Sequence, residues 1–143
     1  REKDMKLEDA QTFRNYSTQI ESLATKVRTY INGELTKRNK VLGLGASTKG
    51  NVLLQFFGVT KDMMPFISER NPDKVGLKTL GTDIELISEE KARSLNPSVM
   101  LVLPWYFKDE IVKREEDYLN SGGALLMPMP YVHLITKDGE RRL

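Results

Sequence analysis

Short apolar runs with little alternation constrain this chain more than any other feature. They are Val41–Leu44, Pro65–Ile67, Ile84–Ile87, Val99–Leu103 and Ala124–Met127, with a sixth at Tyr131–Ile135. A strand with one wet face alternates apolar and polar residues. A continuous apolar run needs cover on both faces, which is the condition of a parallel sheet held between helical layers. The intervening stretches supply those layers. Residues 51–57 place Val52, Leu53, Leu54, Phe56 and Phe57 at helical spacing, and residues 105–120 do so with Phe107, Ile111, Val112, Glu115 and Leu119. Ser88 followed by Glu89 and Glu90 is an N-cap with acids in the first turn. Residues 73–83, with two glycines and mostly polar residues, read as a loop. The expected class is α/β: a mostly parallel open sheet of five or six strands flanked by helices, with right-handed crossovers.

A long helix precedes the sheet. Leu7, Ala10, Phe13, Ser17, Ile20, Leu23, Ala24, Val27, Ile31 and Leu35 recur at spacings of three and four. That stripe spans about 45 Å as a helix, and it leaves two readings open. Either the helix packs on its own sheet, or part of it docks a preceding domain or a second copy, giving a homodimer. Lys37-Arg38-Asn39-Lys40 then marks a helix C-terminus, where cations are favoured. The expected organisation is a docking helix over residues 1–38, a sheet domain over 39–136 and a loose charged tail over 137–143.

Composition excludes several classes. The net charge is +2 and no segment concentrates Lys and Arg, so nucleic acid is not an expected partner. With no cysteine and a single histidine, His133, neither disulfides nor a structural zinc site are expected. His133 reads as structural or exposed. No apolar run approaches the length that crosses a bilayer and the N-terminus is no signal peptide, so the expectation is a cytoplasmic protein without membrane contact. The start at Arg1 without a Met points to a portion of something longer.

The turn after the first strand is the candidate site. Open parallel sheets bind ligands beyond the carboxyl ends of their strands, and the first strand-to-helix turn takes phosphates on free helix N–H groups. Here Gly43, Gly45 and Gly50 supply permissive backbone, Ala46 a small side chain, Ser47 and Thr48 hydroxyls, Lys49 a charge and Asn51 an amide. This Rossmann-like loop departs from both standard fingerprints. Thr48 stands where the dinucleotide pattern has its third glycine, and Asn51 where the Walker pattern has lysine. A turn whose glycines serve packing alone is the competing reading. Glu69 closes the second strand, roughly 20 residues on, where an acid takes ribose hydroxyls, and Arg70 beside it can meet a phosphate. A surface ion pair is the alternative for these two. After the fourth strand, Trp105 and Tyr106 are candidates to stack on a base or wall a pocket, with Phe107 assigned to the core. No Ser-His-Asp set, metal cluster or catalytic carboxylate pair can be assembled.

Several segments together resemble one family. Gly45-Ala-Ser-Thr-Lys-Gly-Asn51 with Leu53-Leu54-Gln55 is similar to its G-A-x-x-K-G-N-T-L-L segment. Glu69-Arg70-Asn71-Pro72-Asp73-Lys74-Val75-Gly76 is similar to its (D/E)-R-(N/S)-P-x-K-x-G. Gly81-Thr82, Leu103-Pro104-Trp105 with Asp109-Glu110-Ile111, and Gly122-Gly123 ahead of Pro128 and Pro130 follow in register. The family is the C-terminal domain of SAM-dependent C-methyltransferases that act on nucleotide-linked deoxysugars. The resemblance implies a substrate-binding domain for a nucleotide sugar, preceded in the same polypeptide by a zinc-binding part and a SAM-binding domain. SAM would be held there and no cofactor here, and the isolated domain would not turn over. Tyr106, and Asp83 and Glu85 after Gly81-Thr82, depart from the family pattern. A free-standing NAD(P)-binding module and a non-catalytic assembly domain are the rival readings.

Overall fold

The computed structural model describes residue 19 and residues 21–45 and 48–143, with the backbone alone for residues 48–50. Helix α1 covers residues 21–36. Then come β1 (Val41–Leu44), α2 (Thr48–Phe57), β2 (Phe66–Glu69), β3 (Glu85–Ser88), α3 (Glu89–Ser94), β4 (Val99–Val102), α4 (Lys108–Arg114), α5 (Glu116–Asn120), β5 (Ala124–Met127), β6 (His133–Thr136) and β7 (Gly139–Arg142). Single 3-10 turns occupy Pro72–Lys74 and Trp105–Phe107.

The strands form one sheet in the order β3-β2-β1-β4-β5-β6-β7. β1 pairs in parallel with β2 and β4, β2 with β3, and β4 with β5. Alternate residues of each strand feed two cores. Val41, Ile67, Leu101 and Leu126 meet Ala24, Val27 and Ile31 of α1 and Leu54 and Phe57 of α2 on one face. Leu42, Leu44, Met100 and Leu125 meet Ala92, Ile111, Tyr118 and Leu119 on the other. Each such side chain contributes about 1.5–3 kcal/mol when fully buried, so the two-sided burial of the apolar runs holds the sheet between its helices. The described part of α1 therefore packs on this domain's own sheet. The earlier part of the expected long helix, including Leu7, Ala10, Phe13 and Ser17, lies outside the described residues.

Three expectations need correction. The sheet has seven strands and not five or six; it is mostly parallel, as expected, with β5–β6 and β6–β7 antiparallel. Residues 137–143 are no loose tail, because Gly139–Arg142 pairs with β6 and Leu143 N donates to Val132 O at 2.9 Å. The strand is exposed along its length, so no apolar pattern announces it. The single helix expected over 105–120 is broken at Glu115, whose backbone (φ −95°, ψ 19°) ends α4 and begins α5. The apolar period puts Glu115 on the buried face, where it is 1% exposed, and its carboxylate reaches Arg93 at 3.0 Å and Arg114 at 3.7 Å. The Ser88 cap holds: its Oγ accepts from Lys91 N at 3.2 Å.

Behind β4 and β5, the Tyr118 hydroxyl donates to the Pro97 carbonyl at 2.8 Å. Burial pushes this phenol above its ordinary value of 10.0, because the anion would lose its hydration. A raised folded value means that the neutral phenol's contribution is complete below 10.0 and is lost as pH climbs beyond it. Tyr118→Phe is expected to cost about 1 kcal/mol at neutral pH. It should also lose less further stability than the parent under alkaline conditions. Urea unfolding at both pH values checks this.

Candidate ligand cleft

The strand order reverses between β1 and β4, with β2 and β3 on one side and β4 onward on the other. A crevice outside the carboxyl ends of the strands opens at such a reversal. Here it is a cleft of about 360 Å³. Leu44 and Gly45 at the end of β1 line it, with Ser68, Glu69 and Arg70 at the end of β2 and Pro104 and Phe107 after β4. Glu89 of α3 and Glu110, Ile111 and Arg114 of α4 complete the wall.

Gly45 makes the turn possible. Its φ is +78°, and a Cβ there would stand 3.0 Å from the Pro104 ring. Its N–H donates to the Ser68 carbonyl at 3.0 Å, which ties the exit of β1 to the end of β2. Gly43 has a different task. It lies inside β1, opposite Ile67 and Leu101, and a Cβ would meet Ile67 Cγ1 at 2.8 Å. Its missing side chain makes room for Ile67 across the strands, and it does not line the cleft. Helix α2 begins at Thr48, three residues earlier than its apolar pattern announces, so Thr48, Lys49 and Gly50 form its first turn. The N–H groups of that turn have no partners within the helix. Ala46 and Ser47 lie outside the described residues. Asn51 is half-buried on α2 and does not line the cleft.

Glu69 is the distinctive group. It is 7% exposed, and its Oε1 accepts from the Asn71 N–H at 2.9 Å. Its Oε2 is buried and has no hydrogen-bond partner among the described residues. An unmet buried acceptor costs about 1–3 kcal/mol, a cost that an incoming donor removes. Arg70 is exposed and forms no ion pair among the described residues, so the surface-pair alternative for these two finds no partner there. Arg114 is already held between Glu89 at 3.5 Å and Glu115 at 3.7 Å.

The aromatic wall differs from expectation. Trp105 is half-buried and packs against the second core, and Tyr106 is exposed without lining the cleft. Phe107, assigned to the core by its spacing, is 51% exposed and faces the cleft. The 3-10 turn over these residues rotates each from the position a continuous α-helix would give it. Glu89, Glu110 and Arg114 were not singled out as site residues. Glu89 stood out only as a first-turn acid and Glu110 only as part of the Asp109-Glu110-Ile111 segment, and neither signal says which strand end these side chains overhang.

His133 is fully buried. Its Nδ1 lies 2.7 Å from the Tyr131 carbonyl and its Nε2 3.1 Å from Glu140 Oε1. Nε2 forms no hydrogen bond among the described residues; Glu140 accepts from Lys108 at 3.0 Å and from the Tyr131 hydroxyl at 2.9 Å. These bonds, Lys108 first, hold the Glu140 carboxyl below its ordinary value, and the same carboxylate pushes the Tyr131 phenol up. The cluster ties the β6–β7 hairpin to α4, so His133 is structural. Among the described residues no group of His, Asp and Glu is arranged to hold a metal, and no helix is long and apolar enough to cross a membrane.

Fold and cleft define a class: a doubly wound α/β domain whose strand order, from β3 through β6, is that of the dinucleotide-binding fold, with a crevice at its reversal. The family model of the C-methyltransferase C-terminal domain matches residues 1–130, and the chain belongs to that family. It is similar to the C-methyltransferase NovU of Streptomyces niveus, at 29% identity over 126 residues, which are 88% of this chain and 30% of that protein. The chain thus spans less than a third of the length of that relative.

Proposed function

We propose that this chain is the substrate-holding domain of a SAM-dependent C-methyltransferase and binds a nucleotide-linked keto-deoxysugar in the cleft between β1 and β4. The observation that carries this reading is the buried, unpartnered Oε2 of Glu69 at the end of β2. A ribose hydroxyl donates to it. Arg70 and the first turn of α2, with Lys49, take the diphosphate, and Phe107 supplies the flat apolar wall. Trp105 and Tyr106 stand behind that wall and position it.

SAM is the methyl donor that the family implies for the whole enzyme. Its ribose would suit Glu69, but it carries no phosphate for the N-terminus of α2, so the preceding part of the polypeptide is its place. This chain's residues bind and orient the sugar nucleotide. The carbon that receives the methyl group is acidified by a neighbouring keto group and loses its proton to a group outside these residues. The isolated chain therefore shows no turnover.

One observation favours a second reading. The strand order, with an acid closing β2, is also the arrangement that receives the adenosine ribose of NAD. Thr48 in place of the third glycine opposes it, since that position serves the close packing of the helix on the strand in the dinucleotide fingerprint. Calorimetry with thymidine diphosphate, NADH and SAM side by side separates the readings. Binding of the diphosphate, with NADH and SAM much weaker, is expected. Tight NADH binding without thymidine diphosphate binding reverses the assignment.

A further inference from the structure

Helix α2 sends Leu54 and Phe57 into the core and turns Val52, Gln55 and Phe56 away from it. These three stand at i, i+3 and i+4 and share one face. Val52 is 46% exposed and Phe56 63%. Gln55 Nε2 donates to the Leu80 carbonyl at 2.9 Å, which brings the loop before β3 against that face, and Leu80 is 78% exposed. Lys61 and Lys78, each facing Asp83 at 3.7 Å and 3.9 Å, edge the same region. Single exposed apolar residues are ordinary, but a group with a polar rim has the anatomy of an interface.

We infer that the patch of Val52, Phe56 and Leu80 is the seat of the rest of the enzyme's own polypeptide. The inference rests on the reading above that the chain works as one domain of a longer methyltransferase. Two observations select this occupant. The relative carries more than two thirds of its length outside the matched segment, so a large body of the same polypeptide needs a place to dock. Val52 also stands about 6 Å along α2 from Thr48, so a body seated on the patch, which extends through Phe56 to Leu80 in the loop before β3, reaches along α2 toward the cleft, where a methyl donor must arrive. A second copy fits less well. Three side chains fall well short of the roughly 800 Å² per partner of a free-standing interface, whereas tethering in one polypeptide lowers that requirement.

Amide hydrogen exchange compared between the full polypeptide and the 143-residue chain tests the inference. Residues 77–82 are expected to exchange at least tenfold more slowly in the full polypeptide. Phe56→Glu with Leu80→Glu should abolish that slowing and raise KM for the sugar nucleotide, yet leave the short chain's melting temperature and thymidine diphosphate affinity unchanged. Equal exchange in both proteins overturns the inference. So does protection already present in the short chain, which would mean that its own N-terminal residues or a second copy cover the patch. Loss of nucleotide affinity in the doubly substituted short chain overturns it too, by making the patch part of the cleft. If the short chain binds no nucleotide but the slowing is seen, the docking surface stands and the cleft assignment alone fails.

Discussion

Glu69→Gln is expected to weaken binding of thymidine diphosphate or its sugar conjugates by tenfold or more. The substitution keeps an oxygen to accept from Asn71 N, now 2.9 Å from Oε1, so the end of β2 and the following turn hold their shape. It replaces the unpartnered Oε2 with an amide that donates. A ribose hydroxyl then loses a charged acceptor and faces a competing donor. Hydrogen bonds to charged groups contribute about 1.5–3 kcal/mol, and each 1.4 kcal/mol is tenfold. Arg70→Ala should weaken binding less, because an exposed guanidinium is screened and its exchange with water is cheap. Calorimetric affinities for the parent and both variants, beside unchanged melting temperatures, check the expectation. An affinity that Glu69→Gln leaves untouched means that the carboxylate does not face the ligand.

Glu69 was legible because two constraints met on it: it follows an apolar run, and an acid at that distance from a glycine turn has a known use. Gly45 and Arg70, which also line the cleft, were legible beside it, but the helical side of the cleft was not. Glu89, Glu110 and Arg114 lie far from the turn in sequence and reach it only through the crossovers that lay α3 and α4 over the strand ends. Phe107 shows the limit of periodicity: its spacing to Ile111 is helical, but the chain enters α4 through a 3-10 turn and the ring swings out. The parallel strands were readable since burial on both faces leaves an unbroken apolar run. β7 was not, because its four residues, Gly-Glu-Arg-Arg, hold their place by pairing with β6 and bury nothing. Gly43 and Gly45 look alike in sequence, yet one answers to Ile67 across the strand and the other to a positive φ.

Gly123→Ala is the substitution expected to destabilise the fold most. A Cβ at Gly123 would lie 2.3–2.5 Å from the Tyr118 ring atoms Cζ, Cε1 and Cε2. The ring cannot retreat freely, because its hydroxyl is held by Pro97 and its face by the second core. Overpacking of this kind costs about 1–3 kcal/mol and at times more, and the upper end is expected here. That corresponds to a fall in melting temperature of roughly 10 °C for a chain of this size. Tyr118→Leu alone destabilises by removing the ring, but in combination with Gly123→Ala it should recover part of the loss, so the two changes are not additive. Thermal unfolding of the two single variants and the double variant decides it. A Gly123→Ala protein as stable as the parent would show that α5 moves away from β5 without cost.

The proposed function requires a nucleotide between β1 and β4. Titrating thymidine diphosphate into the isotope-labelled chain, while following its backbone amide resonances, tests that most directly. The predicted result is a saturable set of shifts centred on Gly45, Glu69, Arg70 and Phe107. Shifts gathered instead around Arg93 and Gly122 at the opposite end of the strands, or none at millimolar ligand, would contradict it.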